Sequence, residues 1–350
     1  MNKARFLFDL CSQLCYVPAM PQRFNILSLS GGGFLGLYTV SVLAGLEEAA
    51  GGPIARHCDL LAGTSVGGII ALGLAAEVPA ATIKAAFERN GTAIFSDRPA
   101  PTSWWGTARD LARFVREPKY QSDALRRTIV ELVGEDACIG DLKHPVIVPA
   151  VNLTKGKPQV FETPHHENFR TDLHLKIVDV ALATSAAPTY FPIAEIGDAL
   201  YADGGLYANS PDLLALHEAQ HFLAQPDGSV HLLSIGTTTS QFSFAHAAGR
   251  QLGSFGWWRD QRLVNVIIAS QQHSVDYMVG HRLGDRYLRL DADQSKEQER
   301  HLALDVATGH AQRTIRGLAA ATVQSHINDA RLKGFLAHTA ASAFHHRIVD

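Results

Sequence analysis

The chain has 350 residues, 46% of them hydrophobic and 19% charged, which suits one large or two modest globular domains and excludes a chain dominated by disorder. A formal net charge of -3 excludes the basic field on which nucleic-acid binding depends, so no DNA or RNA duplex is expected as a partner. Cys11, Cys15, Cys58 and Cys138 show no Cys-x-x-Cys spacing and are too sparse for a disulfide framework, pointing to a reduced, cytoplasmic protein.

Lys3 and Arg5 precede apolar residues at the N-terminus, but Asp9, Ser12 and Gln13 interrupt what would be a signal core. No run approaches the roughly 18 apolar residues of a transmembrane helix. Leu7, Leu10, Cys11 and Leu14 recur at helical spacing and predict an amphipathic helix over residues 3–16, whose apolar face could pack on a core, a membrane or a subunit. Pro18 and Pro21 end that segment, and residues 24–30 read as a short buried strand.

The strand runs into Gly31-Gly32-Gly33-Phe34-Leu35-Gly36, ahead of a helix over 37–50. Gly31, Gly33 and Gly36 satisfy a dinucleotide fingerprint, but that motif wants an acid at the end of the second strand, and Asp59 begins it. The alternative is an oxyanion hole, in which the N–H groups of Gly31, Gly32 and Gly33 converge at a helix N-terminus. The next strand favours the second reading. It ends in Gly63-Thr64-Ser65-Val66-Gly67, a nucleophile elbow in outline, with Gly63 and Gly67 placed where a side chain would collide with the opposite arm. A helix-capping serine would give the same local pattern.

A helix is expected over 79–90, ending at Gly91. Residues 91–106, with Trp104 and Trp105, suit a cover over a pocket or a satellite core, and helices follow at 107–115 and 121–133. Strands over 144–152 and 158–161 flank a glycine turn, then a helix spans 175–185. A short strand over 199–203 ends in Asp203-Gly204-Gly205, which would bring a carboxylate to the sheet edge that carries Ser65.

His217-Glu218-Ala219-Gln220-His221 matches a zinc-binding pattern, but Ala224 and Asp227 stand where the extended motif wants glycine and histidine, so no metal is assigned. His165-His166 and His345-His346 read as surface. After a strand over 230–235 come helical patterns at 261–280 and 295–338, with an edge strand over 287–290 between them. Trp257 and Trp258 beside Arg259 suit a membrane interface or a packing anchor. The domain organisation is an N-terminal helix over 1–21, a catalytic core over 22–237, and a mainly helical portion over 238–350 packed on it as one integrated domain.

Several of these motifs, in this order, resemble the patatin-like phospholipase family over residues 22–237. Ser30 to Gly36 is similar to its oxyanion loop, Gly63 to Gly68 to its nucleophile motif, and Asp203-Gly204-Gly205 to its catalytic-acid motif. Residues 183–192 and Tyr207-Ala208-Asn209-Ser210-Pro211 resemble further family segments. Leu35 departs from the pattern, since the family commonly carries a basic residue there. The resemblance implies an α/β fold of three layers (α/β/α) around a mostly parallel sheet, no cofactor, and hydrolysis of membrane phospholipid esters by a Ser65–Asp203 dyad. Within the family, residues 27–39 look most like bacterial effectors of antiphage systems. That subgroup implies a cyclic dinucleotide activator and peripheral association with the inner membrane; a homo-oligomer stays open. Rival readings are a Ser–His–Asp esterase using His217, His231 or His273, a nucleotide sensor built on the glycine loop, and a zinc peptidase.

Overall fold

The central strands are buried on both faces, so their side chains sort alternately into two apolar layers. The computed structural model describes residues 22–95, 118–238, 253, 257 and 262–341. In β1 (Phe24–Leu29), Leu27 and Leu29 join one layer and Ile26 the other; in β2 (Leu60–Gly63), Leu61 and Leu60 divide the same way. The larger layer holds α1 (Gly36–Ala50), α2 (Val66–Ala75), α3 (Ala80–Ile94), α4 (Asp123–Val133), α5 (Ile177–Thr184) and α9 (Gly309–His326). After the short α6 (Gly205–Ala208), the opposite layer packs α7 (Asp212–His217) and α8 (Arg262–Leu283) through Ala215, Leu216, Val279 and Leu283.

The remaining strands are β3 (Val146–Asn152), β4 (Lys157–Glu162), β5 (Ala194–Ile196), β6 (Ala199–Asp203), β7 (Val230–Ile235) and β8 (Tyr287–Leu290). The sheet runs β5-β6-β3-β2-β1-β7-β8, with β4 paired to β3 off this path. Pairs among β3, β2, β1, β7 and β8 are parallel, whereas β4, β5 and β6 pair antiparallel. This is the three-layer, mostly parallel architecture that the resemblance implied.

One register decides where chemistry can occur. β2 pairs with β3 only at Leu61–Val146 and Ala62–Ile147, and β3 then continues past the end of β2 to Asn152. β6 enters antiparallel along that overhang, pairing Tyr201 with Asn152 and Asp203 with Ala150. A strand running against the others therefore delivers its last residue beside the corner where β2 gives way to α2.

The helix expected to end at Gly91 continues to Ile94. Gly91 serves close approach rather than capping: a Cβ there would lie 2.5 Å from the fully buried Phe34 ring. The helical pattern over 295–338 is broken into α9 and α10 (Ala330–Leu336), preceded by a loop whose Leu304 carbonyl accepts from Phe34 N at 2.7 Å. His165, expected at the surface, is buried, and its Nε2 lies 3.1 Å from Glu218 Oε1. The expected helices at 3–16 and 107–115, with Trp104, Trp105, Trp258 and His345-His346, lie outside the described residues.

Gly91→Val should overpack the Phe34 contact and cost about 1–3 kcal/mol. Chemical denaturation reads this as an earlier midpoint; an unshifted midpoint would mean that the ring yields freely.

Candidate active site

The corner between β2 and α2 is built from glycine because backbone crosses backbone there. A Cβ on Gly63 would meet the Gly67 carbonyl oxygen at 2.2 Å, and one on Gly67 would meet that of Leu29 at 2.3 Å. Ser65 itself stands at φ 56 and ψ -126, outside the regions that an L-residue adopts without strain. Neighbours over-determine this conformation. Ser65 N donates to Thr184 Oγ1 at 3.0 Å, Thr184 Oγ1 donates to the Pro149 carbonyl at 2.6 Å, and Thr64 Oγ1 donates to the Ala208 carbonyl at 2.6 Å.

The corner aims the hydroxyl at the strand that runs the other way. Ser65 Oγ donates to Asp203 Oδ2 at 2.7 Å, and both residues are buried. Asp203 Oδ1 accepts from Gly205 N at 2.7 Å, which fixes the carboxylate plane. Burial pushes the Asp203 carboxyl up to about 6, while the bonds from Gly205 and Ser65 oppose that shift. A carboxylate so raised is a far better proton acceptor near neutrality than one at the ordinary value of about 4.

Among the described residues no imidazole stands between the two groups, which bond directly. His217 and His273 are exposed, and His231 holds Nδ1 2.9 Å from the Ser229 carbonyl. The His217 and His221 rings stack on each other, centroids 5.0 Å apart, while Glu218 turns inward to His165. Among the described residues no three His, Cys, Asp or Glu side chains are grouped to hold a metal ion.

The glycine loop lies against this pair: a Cβ on Gly31 would fall 3.1 Å from Ser65 Cβ. Its N–H groups are not equivalent, and the expectation for Gly31 needs correction. Gly31 N donates to the Asn209 carbonyl at 2.9 Å, so it is already committed, as is Phe34 N to Leu304. Among the described residues, the N–H groups of Gly32 and Gly33 have no such acceptor. Gly33 sits at φ 55 and opens the turn into α1. Leu35, which stands where the family commonly carries a basic residue, is buried in the larger apolar layer.

Thr184 and Asn209, which position Ser65 and Gly31, lie within segments singled out in the sequence, but no spacing rule gave either a role. Thr237, whose Oγ1 donates to the Gly31 carbonyl at 3.1 Å, lies two residues past the strand over 230–235 and carries no sequence signal of its own.

A serine hydroxyl bonded directly to a buried carboxylate, beside a loop with unspent N–H groups, defines a serine acyl hydrolase of the Ser–Asp type. The chain belongs to the patatin-like phospholipase family, whose model matches residues 27–216. It is therefore a hydrolase of carboxylic ester bonds. It is 43% identical over 326 residues to a "cGAMP-activated phospholipase" of Pseudomonas aeruginosa, covering 92% of this chain and 95% of that one. Proteins of the same description from Vibrio cholerae and Escherichia coli are each 36% identical, covering 83% and 89% of this chain and 87% and 92% of theirs.

Fluorophosphonate labelling of Ser65 should rise with pH through an inflection near 6, as Asp203 loses its proton and becomes able to accept one. Asp203→Asn should label slowly at every pH. A profile that persists in Asp203→Asn would assign the base to another group.

Proposed function

We propose that this protein is a phospholipase A-type lipid acyl hydrolase, switched on by a cyclic dinucleotide and acting at the inner membrane surface in bacterial antiphage defence. The observation that carries the chemistry is the 2.7 Å bond between Ser65 Oγ and Asp203 Oδ2. Ser65 Oγ attacks the ester carbonyl carbon as its proton passes to Asp203 Oδ2. The carbonyl oxygen takes up the negative charge, opposite the N–H groups of Gly32 and Gly33 and near the positive end of α2. Collapse expels the lysophospholipid alkoxide, which takes the proton from Asp203, leaving an acyl-Ser65 ester. Asp203 then deprotonates water, whose attack releases the fatty acid and restores Ser65.

Support for the activator comes from the descriptions of the three bacterial relatives, which match nearly end to end. Membrane association is proposed as peripheral: no described helix is long and apolar enough to cross a bilayer. The membrane is then the substrate surface rather than an anchor.

Fatty-acid release from phosphatidylethanolamine and phosphatidylglycerol liposomes tests this directly. We expect release only when cGAMP or another member of a cyclic dinucleotide panel is present, and none from Ser65→Ala. Release that ignores every nucleotide would remove the activator and keep the phospholipase. Release by Ser65→Ala would overturn the assigned nucleophile.

A further inference from the structure

The Gly31–Gly32 peptide is held on one side only. Its carbonyl accepts from Thr237 Oγ1 at 3.1 Å and from Asn209 Nδ2 at 3.4 Å. No described peptide is cis, and in a trans peptide the N–H points opposite to the C=O. Fixing the Gly31 carbonyl therefore fixes the direction of the Gly32 N–H, one of the two uncommitted donors.

Both anchors trace back to a single side chain on β8. Arg289 Nη2 donates to Asp291 Oδ2 at 2.9 Å, and Asp291 Oδ1 accepts from Thr238 N at 2.9 Å. Thr238 is a β-branched residue at φ 59, a conformation that needs outside support. The adjacent Thr237 is the residue that holds the Gly31 carbonyl. On the other arm, Arg289 Nη1 donates to Ser210 Oγ at 3.3 Å. Ser210 Oγ also accepts from Ser30 Oγ at 3.3 Å, and Ser210 follows Asn209, the second anchor.

The guanidinium is costly to keep where it is. The Arg289 side chain is only 13% exposed, with Asp276 3.5 Å away in addition to Asp291, and Asp212 shares its partners Ser210 and Ser234. Tyr287 OH bridges the carboxylates of Asp212 and Asp276 at 2.8 and 3.0 Å. Arg289 thus faces three acids, and losing it would remove that compensation from a buried cluster. Stability alone would be served as well by apolar packing; what this cluster adds is direction at two bonds that end on one catalytic peptide.

We propose that Arg289 is a positioning residue for ester hydrolysis, holding the Gly31–Gly32 peptide through Thr237 and Asn209 so that the Gly32 N–H meets the developing oxyanion. The inference rests on the phospholipase reading above. Arg289 acts through Thr237 and Asn209 rather than on the ester itself, so its loss should spare ground-state binding and weaken only what forms at the tetrahedral stage.

Three variants of the full chain test it: Thr237→Val at the far end of one arm, Arg289→Gln at the hub, and Arg289→Lys, which keeps the charge. Each is assayed with dioctanoyl phosphatidylglycerol, with and without cGAMP, in the condition where the unmodified protein is active. Two inhibitors separate the stages. A trifluoromethyl ketone lipid forms a hemiketal oxyanion on Ser65, and a diether lipid mimics the bound ester only.

Thr237→Val should lower kcat by about 10- to 100-fold with KM within about twofold, and weaken the ketone by the same factor while leaving the diether unchanged. Arg289→Gln should move the same two quantities further, and Arg289→Lys should recover part of the loss. If Arg289→Gln does not fold, Thr237→Val and Arg289→Lys carry the test. Unchanged kcat in Thr237→Val, or equal weakening of both inhibitors, would overturn the proposal. Failure of the underlying reading looks different: the unmodified protein would then hydrolyse no lipid in either condition, and the positioning role would fall with it.

Discussion

The hydrogen bond from Ser65 to Asp203 is the constraint that the rest of the structure serves. It places an alcohol and a carboxylate at 2.7 Å in a buried setting, where neither is in its easiest state. The serine must hold a strained backbone, and the carboxylate must give up hydration. Each cost is met locally. Thr64 and Thr184 secure the serine's corner, and Gly205 N supplies the carboxylate with a second donor. The strand overhang on β3 is what lets both residues arrive at one point: β6 pairs along it and ends with Asp203 opposite Ala150, beyond the last β2–β3 pair at Ala62 and Ile147.

β8 and the loop before α9 take part in holding the glycine loop. β8 extends the sheet and brings Arg289 beneath the turn that holds Gly31. The loop before α9 reaches the opposite end of the glycine run, where the Leu304 carbonyl takes up Phe34 N. The next residue, Asp305, is gripped by Lys119 and by Tyr120 OH, the latter at 2.8 Å. The glycine loop is thereby clamped at both ends by bonds on elements remote in sequence. That arrangement spends the N–H groups of Gly31 and Phe34 and leaves those of Gly32 and Gly33 without an acceptor among the described residues.

Much of this was legible in the chain because the constraints are local. Gly63-Thr64-Ser65-Val66-Gly67 declares its corner through steric need within five residues, and Asp203-Gly204-Gly205 declares a strand end. The alternation of Leu27, Leu29 and Ile26 shows a strand buried on both faces. What was hidden depends on residues distant in sequence. Gly91 reads as a helix stop until Phe34 is seen against it. His165 reads as surface until Glu218 turns inward to meet it. The commitment of Gly31 N to Asn209 has no sequence signal, since any residue can offer a carbonyl. Arg289 looks like an ordinary charge on an edge strand, and only tertiary packing surrounds it with three acids.

The central claim is that Asp203 is the base and that it is coupled directly to Ser65. A 13C NMR titration of the aspartate carboxyls, with the Asp203 signal assigned from its absence in Asp203→Asn, reads this in the resting protein. The account predicts an inflection near 6 that moves higher in Ser65→Ala, because the serine's hydrogen bond favours the ionised carboxylate. An inflection in the ordinary range of about 4, indifferent to Ser65, would contradict it.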